Sequence, residues 1–381
     1  MIERPLFKTA AKLFLNGLRY RYRKKTGGPG RPQAVSLEIT HKCIAKCIMC
    51  NIWRIPKDEP ELTIDDWLKL LSSDFLSDMR ELDITGGEPF LLDDIDSLFS
   101  GIGKLKNSNL KRLQSVAITT NGFLTGRVLE KTEIILRGFK SAGIDLVVVC
   151  AMDAVGEIHE QIRNVKDAWQ KVNKTIEGLI ELRARYPELI IGLKTTVLPV
   201  NIDELENISH YAHEKGLFTI ISPCIITSGR YLNQEIGKDL VFSKEDKEKM
   251  IRFFKGSQFK WSFHADNLAK FLETGKMEKP CSCGFNYFFT RSSGEVFLCP
   301  LINMSMGNVR KDPIESLLSS GKARAFRKDA GQFPECRECT EPGLERYALP
   351  CEGFTYLTIL LKHNKKDFIE LHTHLGLSKY V

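Results

Sequence analysis

Thr40-His41-Lys42-Cys43-Ile44-Ala45-Lys46-Cys47-Ile48-Met49-Cys50 follows directly on the β-branched run AVSLEIT at 34–40. Three cysteines spaced C-x3-C-x2-C on one loop can wrap a single iron–sulfur cubane, which normally takes four thiolates. Three protein ligands leave one iron open to a small molecule. Zinc is the competing metal, but it prefers four protein ligands drawn from paired C-x2-C knuckles.

Outward from this loop, short β-branched runs alternate with amphipathic helical stretches. The pattern predicts strands at 34–40, 81–85, 115–121, 145–152, 190–197 and 218–225, with helices near 63–72, 93–106, 127–143, 168–186 and 202–215. Leu179, Leu182 and Tyr186 share one helix face, and Gly216 stands just past the end of the last helix. Six β/α repeats predict an α/β fold, a parallel sheet curled into a partial (β/α)6 TIM barrel over 34–240. The Thr-Gly-Gly-Pro-Gly-Arg-Pro break at 26–32 sets off an arm and linker at 1–33. Helices near 243–255 and 265–275 make 241–279 a connecting stretch. Residues 280–353 are Cys-rich with little periodicity and read as a small metal-organised module, followed by a tail at 354–381.

Two more motifs follow the second and third strands: Thr85-Gly86-Gly87-Glu88-Pro89 and Thr119-Thr120-Asn121-Gly122. All three fall at the C-terminal ends of strands, where parallel β/α barrels place their chemistry. Together they resemble the radical S-adenosylmethionine (SAM) superfamily. The resemblance implies that Cys43, Cys47 and Cys50 hold a 4Fe–4S cluster whose open iron binds SAM. One electron, from a donor such as flavodoxin or ferredoxin, then cleaves SAM to a 5′-deoxyadenosyl radical that abstracts a substrate hydrogen. It also assigns SAM contacts to Gly86, Gly87, Glu88 and Pro89, with the glycines letting backbone approach the ligand and Glu88 near the SAM ammonium. Thr120 and Asn121 present polar groups to SAM. After the fourth strand, Ala151-Met152-Asp153-Ala154 keeps the aspartate of the family's Ser-Leu-Asp-Gly but lacks its ribose-facing serine. Arg163, ending Ile158-His159-Glu160-Gln161-Ile162-Arg163, is a partner for the SAM carboxylate or a member of a surface helix ion pair. Met49 takes the place of an aromatic residue near the adenine.

The second cysteine set opens with Cys281-Ser282-Cys283-Gly284 and continues with Gly294, Cys299, Cys336 and Cys339. Its C-x12-G-x4-C spacing followed by C-x2-C resembles the SPASM and Twitch extensions of radical SAM enzymes. A full SPASM module would carry further cysteines where this chain has Glu345 and Leu349, so the resemblance implies one auxiliary 4Fe–4S cluster. Its ligands are then Cys299, Cys336, Cys339 and either Cys281 or Cys283, with Cys281 favoured. Four sulfurs suit structural zinc equally. Cys351 has no obvious partner. Cys150 and Cys224 read as small apolar residues, and His363, His372 and His374 as part of a solvated helix face.

The net charge of +7 is concentrated at the N-terminus. Residues 1–31 carry nine Lys/Arg against Glu3 (+8), leaving 46 basic and 47 acidic residues (−1) in the rest. That distribution argues against a nucleic-acid binder. No run of about 18 apolar residues could span a bilayer, and no signal peptide is evident, so the chain reads as cytoplasmic. On a helical projection of 7–23, Phe7, Ala10, Ala11, Leu13, Phe14, Leu15, Leu18 and Tyr22 share one face, with Lys8, Lys12, Arg19 and Arg23 opposite. Such a helix docks on the barrel with its basic side to solvent, or lies peripherally on an anionic membrane. The arm is shorter than the folded domain of many peptide-maturing relatives. A small-molecule or lipid substrate is therefore favoured over a ribosomal peptide, with a non-catalytic iron–sulfur or zinc sensor as the other class.

Overall fold

Strand-forming runs buried on both faces must be covered by helices, and this chain supplies one helix after nearly every strand. The computed structural model describes residues 6–259 and 262–362, with 366, 376, 379 and 380; the predictions at His363, His372 and His374 lie outside the described residues. The strands are β1 (Ala34–Glu38), β2 (Glu81–Thr85), β3 (Ser115–Thr120), β4 (Asp145–Ala151), β5 (Leu189–Val197) and β6 (Phe218–Pro223). Each pairs in parallel with the next, Leu37 lying opposite Ile84 and Ile84 opposite Ile118. A helix α1 (Leu6–Thr26) precedes the sheet. Between the strands run α2 (Ile64–Leu71), α3 (Ile95–Lys106), α4 (Thr125–Ala142), α5 (Glu157–Arg163), α6 (Ala168–Arg185) and α7 (Leu205–Glu214). Local chemistry sets their ends: the Thr63 hydroxyl accepts from Asp66 N–H while the Asp66 carboxylate accepts from Thr63 N–H. Gly143 closes α4 at φ +63°.

The connecting helices α8 (Lys244–Phe254) and α9 (Phe263–Thr274) pack on each other. The Cys-rich segment then departs from expectation. It forms β7 (Tyr287–Thr290), β8 (Glu295–Phe297) and β9 (Ser305–Asn308), which extend the same sheet. β7 pairs in parallel with β1, Ala34 opposite Tyr287, giving the order β6-β5-β4-β3-β2-β1-β7-β8-β9. The sheet has two ends and does not close, as a partial barrel requires.

Alternation along the strands sorts the side chains. Val35, Leu37, Leu82, Ile84, Val116 and Ile118 are buried in the shared core with Leu98, Val128 and Ile176 of the helices. The alternate residues Ser36, Asp83, Ser115 and Lys194 face the barrel interior. After α10 (Ile314–Ser319) and α11 (Gly321–Asp329), helix α12 (Gly343–Glu352) enters this interior. The Thr340 hydroxyl donates to Pro223 O on β6, while Tyr347 stacks on Tyr287 of β7 with ring centroids 4.9 Å apart. The segment therefore bridges the open side of the barrel. Arg346 and Lys379 flank Glu81 at 3.5 and 2.8 Å, and Tyr380 donates to it. Burial would raise that carboxyl, but the two cations overcome it and hold its pKa down at about 2.

Helix α1 is docked, though not by the face expected. Thr9, Leu13, Gly17 and Tyr20 turn inward onto α11, α12 and α13 (Phe354–Lys362). The reason is close approach: a Cβ at Gly17 would lie 2.2 Å from the Phe354 ring. Phe7, Phe14, Leu15, Leu18 and Tyr22 are left outward, Phe7 83% and Tyr22 70% exposed. Among the described residues no helix is long and apolar enough to cross a membrane.

Candidate functional site

The Thr40–Cys50 loop leaves the C-terminal end of β1 and is pinned on both flanks. Glu61 accepts from the Thr40 hydroxyl at 2.9 Å and His41 N–H at 2.6 Å, and it pairs with the His41 ring at 2.7 Å. On the other flank Asn51 donates through its backbone to Tyr231 O at 2.8 Å and through its amide to Leu232 O at 2.9 Å. Trp53 Nε1 donates to Cys50 O at 2.9 Å. Cys43, Cys47 and Cys50 line one cavity together with Met49, Gly86, Gly87, Thr120, Asn121 and Arg163.

The two glycines lie in close contact with protein backbone. A Cβ on Gly86 would meet Thr40 O at 2.4 Å, and one on Gly87 would meet Lys42 O at 2.2 Å. Gly87 N–H and Glu88 N–H donate to Thr40 O and Lys42 O at 2.7 and 2.8 Å, zipping this loop to the cysteine loop. Pro89 begins the short turn that follows. Glu88 corrects the expectation of a carboxylate facing the cavity. It is fully buried and spends its oxygens on the protein, accepting from the Thr120 hydroxyl (2.9 Å), Asn121 N–H (2.7 Å) and Phe90 N–H (3.1 Å). Burial nonetheless pushes its carboxyl up to about 7.

Asn121 is the polar group the cavity leaves open. Its carbonyl oxygen accepts from Phe123 N–H at 3.0 Å, while its buried Nδ2 has no hydrogen-bond partner. Asp153 and Arg163 form a buried ion pair at 2.7 Å, so Arg163 is no surface residue. Asp153 also accepts from Thr196 N–H at 2.9 Å, and Arg163 reaches the Cys47 sulfur at 3.8 Å. Arg163 is thus committed to Asp153 and the cysteine loop. His159 receives Asp153 N–H at 3.1 Å; burial, then Arg163, drives its pKa down to about 2 and keeps it neutral. Met49 packs with Ile162, Leu198 and Leu240.

The second cysteine set also converges. Cys281, Cys299, Cys336 and Cys339 line one small cavity with Lys279, Leu301 and Ile302. Cys283 is not among its walls; it is 1% exposed and packed in the core beside them. Among the described residues no three His, Cys, Asp or Glu side chains converge on a position for a single ion. The sulfurs wall a cavity rather than surround a point. Lys279 Nζ donates to Glu341 O at 2.6 Å, and Glu341 with Pro342 lines the first cavity.

Sequence reasoning missed several residues. Cys150 is buried in the apolar core as expected, but Cys224 lines the first cavity, with Asn233 donating toward its sulfur at 3.9 Å. Its place just beyond β6 was the available signal. Glu38, Lys194, Arg230 and Glu341 line the same cavity; period-two inward alternation marks Glu38 and Lys194, whereas no local pattern marks Arg230 or Glu341.

Residues 37–212 match the Radical SAM superfamily, and residues 281–340 match the SPASM iron–sulfur cluster-binding domain. The chain is 24% identical over 308 residues to the antilisterial bacteriocin subtilosin biosynthesis protein AlbA of Bacillus subtilis, covering 80% of this chain and 63% of AlbA. It is 23% identical over 323 residues to the AdoMet-dependent heme synthase of Methanosarcina barkeri, covering 78% and 84%. It is 20% identical over 301 residues to the sporulation killing factor maturation protein SkfB of Bacillus subtilis, covering 78% and 68%. The solved structure of anSMEcpe with bound AdoMet shares the fold at a TM-score of 0.58 and 17% identity, covering 90% of this chain and 99% of that one. Since both cysteine sets fall in the matched segments, the chain belongs to the radical SAM superfamily, with 4Fe–4S clusters and SAM as cofactors and a SPASM/Twitch module after the partial barrel.

Proposed function

We propose that this enzyme modifies a C–H position of a ribosomally made peptide. In this reading Cys43, Cys47 and Cys50 hold the SAM-binding cluster, and Cys281, Cys299, Cys336 and Cys339 hold one auxiliary cluster. The carrying observation is the shared cavity, lined together by three thiols, by Asn121 with its unpartnered amide, and by Glu341, two residues past Cys339. These groups fit the cofactors, the thiols as soft cluster ligands and the amide as a donor to a polar ligand. When bound, the cluster and SAM supply one-electron chemistry able to remove hydrogen from an unactivated carbon.

The protein's own contribution is placement. Glu61 and Asn51 fix the cysteine loop, Gly86 and Gly87 bring the second loop against it, and Glu88 ties that loop to Asn121. The Thr340–Pro342 segment joins the two cavities, which supports an electron-accepting role for the auxiliary cluster. An electron donor such as flavodoxin or ferredoxin completes the scheme.

A peptide substrate draws support from AlbA and SkfB, named for a bacteriocin and a killing factor. It displaces the lipid preference, whose sequence basis was the basic arm. Helix α1 leads into the N-terminal end of β1, whereas the cysteine loop leaves the C-terminal end. A lipid met by α1 is therefore not delivered to the cavity. The outward apolar stripe and its basic border support peripheral contact with an anionic membrane instead, independent of substrate.

The test is anaerobically reconstituted enzyme with SAM, dithionite and deuterated peptides encoded beside its gene. Deuterium in 5′-deoxyadenosine together with a mass change in one peptide is expected. If 5′-deoxyadenosine forms but only a non-peptide substrate donates deuterium, the peptide reading fails and the enzyme reading stands. If none forms, the chain is a non-catalytic cluster protein.

A further inference from the structure

The cavity that the three cysteines line is also walled by two cations, Lys194 of β5 and Arg230 of the loop after β6. Arg230 is only 8% exposed, and its guanidinium lies 5.4 Å from the ring centroids of both Tyr231 and Phe289. Aromatic faces on a planar cation fix its orientation without using its N–H donors. The loop itself is anchored: Asn51 binds Tyr231 O and Leu232 O, and Asn233 binds Met49 O at 3.0 Å. Arg230 is therefore presented to the cavity by the same loop that covers the cysteines.

Among the described residues, neither Lys194 nor Arg230 has a side-chain hydrogen bond or a carboxylate within 4.0 Å. The third cation of this cavity, Arg163, is neutralised by Asp153 at 2.7 Å. Four carboxyl groups face the pair from other elements, one of them Asp153, which is already paired with Arg163. Glu341 accepts from Gly343 N–H at 3.2 Å; Asp83 lies deeper and accepts from the Ser36 hydroxyl at 3.1 Å. Burial pushes the Glu38 carboxyl up to about 7, against Arg291 and Arg230. None of them closes on the two cations. A buried charge without a partner is costly, and a charged guanidinium fork matches an oxyanion in shape as well as sign.

We propose that Lys194 and Arg230 form a subsite for an oxyanion of the substrate, a carboxylate or a phosphate, within the cavity that the cysteine loop lines. This rests on the radical SAM reading for its role: it holds one end of the substrate while another part lies under the loop. In a peptide that group is an acidic side chain or the C-terminal carboxylate; in a phosphorylated substrate it is the phosphate. Lys194 and Arg230 are positioning residues in this account, since neither needs to touch the reacting carbon.

The experiment measures thermal unfolding of the reconstituted full-length enzyme with saturating SAM, at constant ionic strength balanced with chloride. Acetate is titrated in one arm and inorganic phosphate in the other. A saturable rise of about 2–5 °C is expected at a large excess over Kd, and the arm with the tighter midpoint names the group. Lys194→Met and Arg230→Met should each lose the saturable rise, whereas Arg230→Lys, which keeps the charge, should retain it at weaker affinity. No saturable effect in the unmodified enzyme, or an unchanged response in both Met variants, overturns the proposal. So does a tenfold or greater loss of SAM affinity in those variants, which would assign the cations to SAM's own carboxylate. Failure of the radical SAM reading shows separately, as absence of 5′-deoxyadenosine from the unmodified enzyme.

Discussion

The Glu88 carboxylate accepts a 2.7 Å hydrogen bond from Asn121 N–H, tying the loop after β2 to the loop after β3. This bond, with those from Thr120 and Phe90, fixes the glutamate in the site through protein partners. Glu88→Gln puts an amide N–H where an acceptor is needed for either Asn121 or the Thr120–Phe90 pair. The variant should lose about 1–3 kcal/mol of stability, as expected for an unsatisfied buried group, and SAM affinity should fall in parallel. Denaturant unfolding and calorimetry check this. Lost SAM affinity at unchanged stability would return Glu88 to the ligand.

The Glu38 carboxyl gives a pH signature. Burial raises its folded pKa to about 7 from an ordinary carboxyl value of about 4.5. A raised folded pKa contributes stability that is full below about 4.5 and is lost as pH climbs through 7. Glu38→Gln should leave stability unchanged near pH 4 and raise it by about 1–3 kcal/mol at pH 8. Urea unfolding across that range is the measurement, and a flat difference between the two proteins would refute it.

Iron content tests the cysteine assignments. Two 4Fe–4S clusters give about eight irons per chain, and Cys43, Cys47 and Cys50 changed together to Ala should leave about four. Cys281→Ala should lose the auxiliary cluster, because its sulfur lines the cavity of Cys299, Cys336 and Cys339. Cys283→Ala should keep it. The reverse result would make Cys283 the ligand, and one zinc in place of four irons would make the module a zinc site.

Helix α1 separates docking from surface binding. Removing residues 1–29 should lower Tm, since Leu13 and Tyr20 are buried and Tyr20 donates to Cys281 O at 2.7 Å. Phe7→Ser with Tyr22→Ser, at the two most exposed positions of the outward apolar stripe, should leave Tm within a degree or two. Sedimentation with anionic vesicles should be lost in both proteins. Binding by the unmodified chain should weaken with salt, since exposed charges are screened over about 8–10 Å near physiological ionic strength. Equal pelleting of all three proteins, or of none, removes the membrane role.

The six β/α units were legible because strand alternation, helix period and caps are local properties. Strand positions in the sequence agree with β1–β6 to within about two residues, an error expected at element ends. The cysteine loop was legible for the same reason, its spacing being short. What stayed hidden depends on contacts between distant segments. Gly86 and Gly87 belong where predicted, but the surface they fit is the Thr40–Lys42 backbone. The apolar face of α1 was legible, but which face would dock was settled by Gly17 meeting Phe354. Short strands β7–β9 carried too little periodicity to announce that they continue the main sheet. Glu341 and Arg230 reach the cavity only from the segment before α12 and from the loop after β6.

Strand β1, which launches the cysteine loop, lies between neighbours made at very different times. Glu81 of β2 is 47 residues downstream of its partner Ala34 (81 − 34), but Tyr287 of β7 is 253 residues downstream (287 − 34). A ribosome adding about 5–20 residues per second needs roughly 10–50 s to deliver that second neighbour. Through that interval one margin of β1 carries unpaired N–H and C=O groups, the kind of exposed edge that templates wrong pairings. The nascent chain is therefore most vulnerable to misassembly beside the loop on which its chemistry depends. Chaperone capture or slowed elongation between β6 and β7 would bear directly on yield.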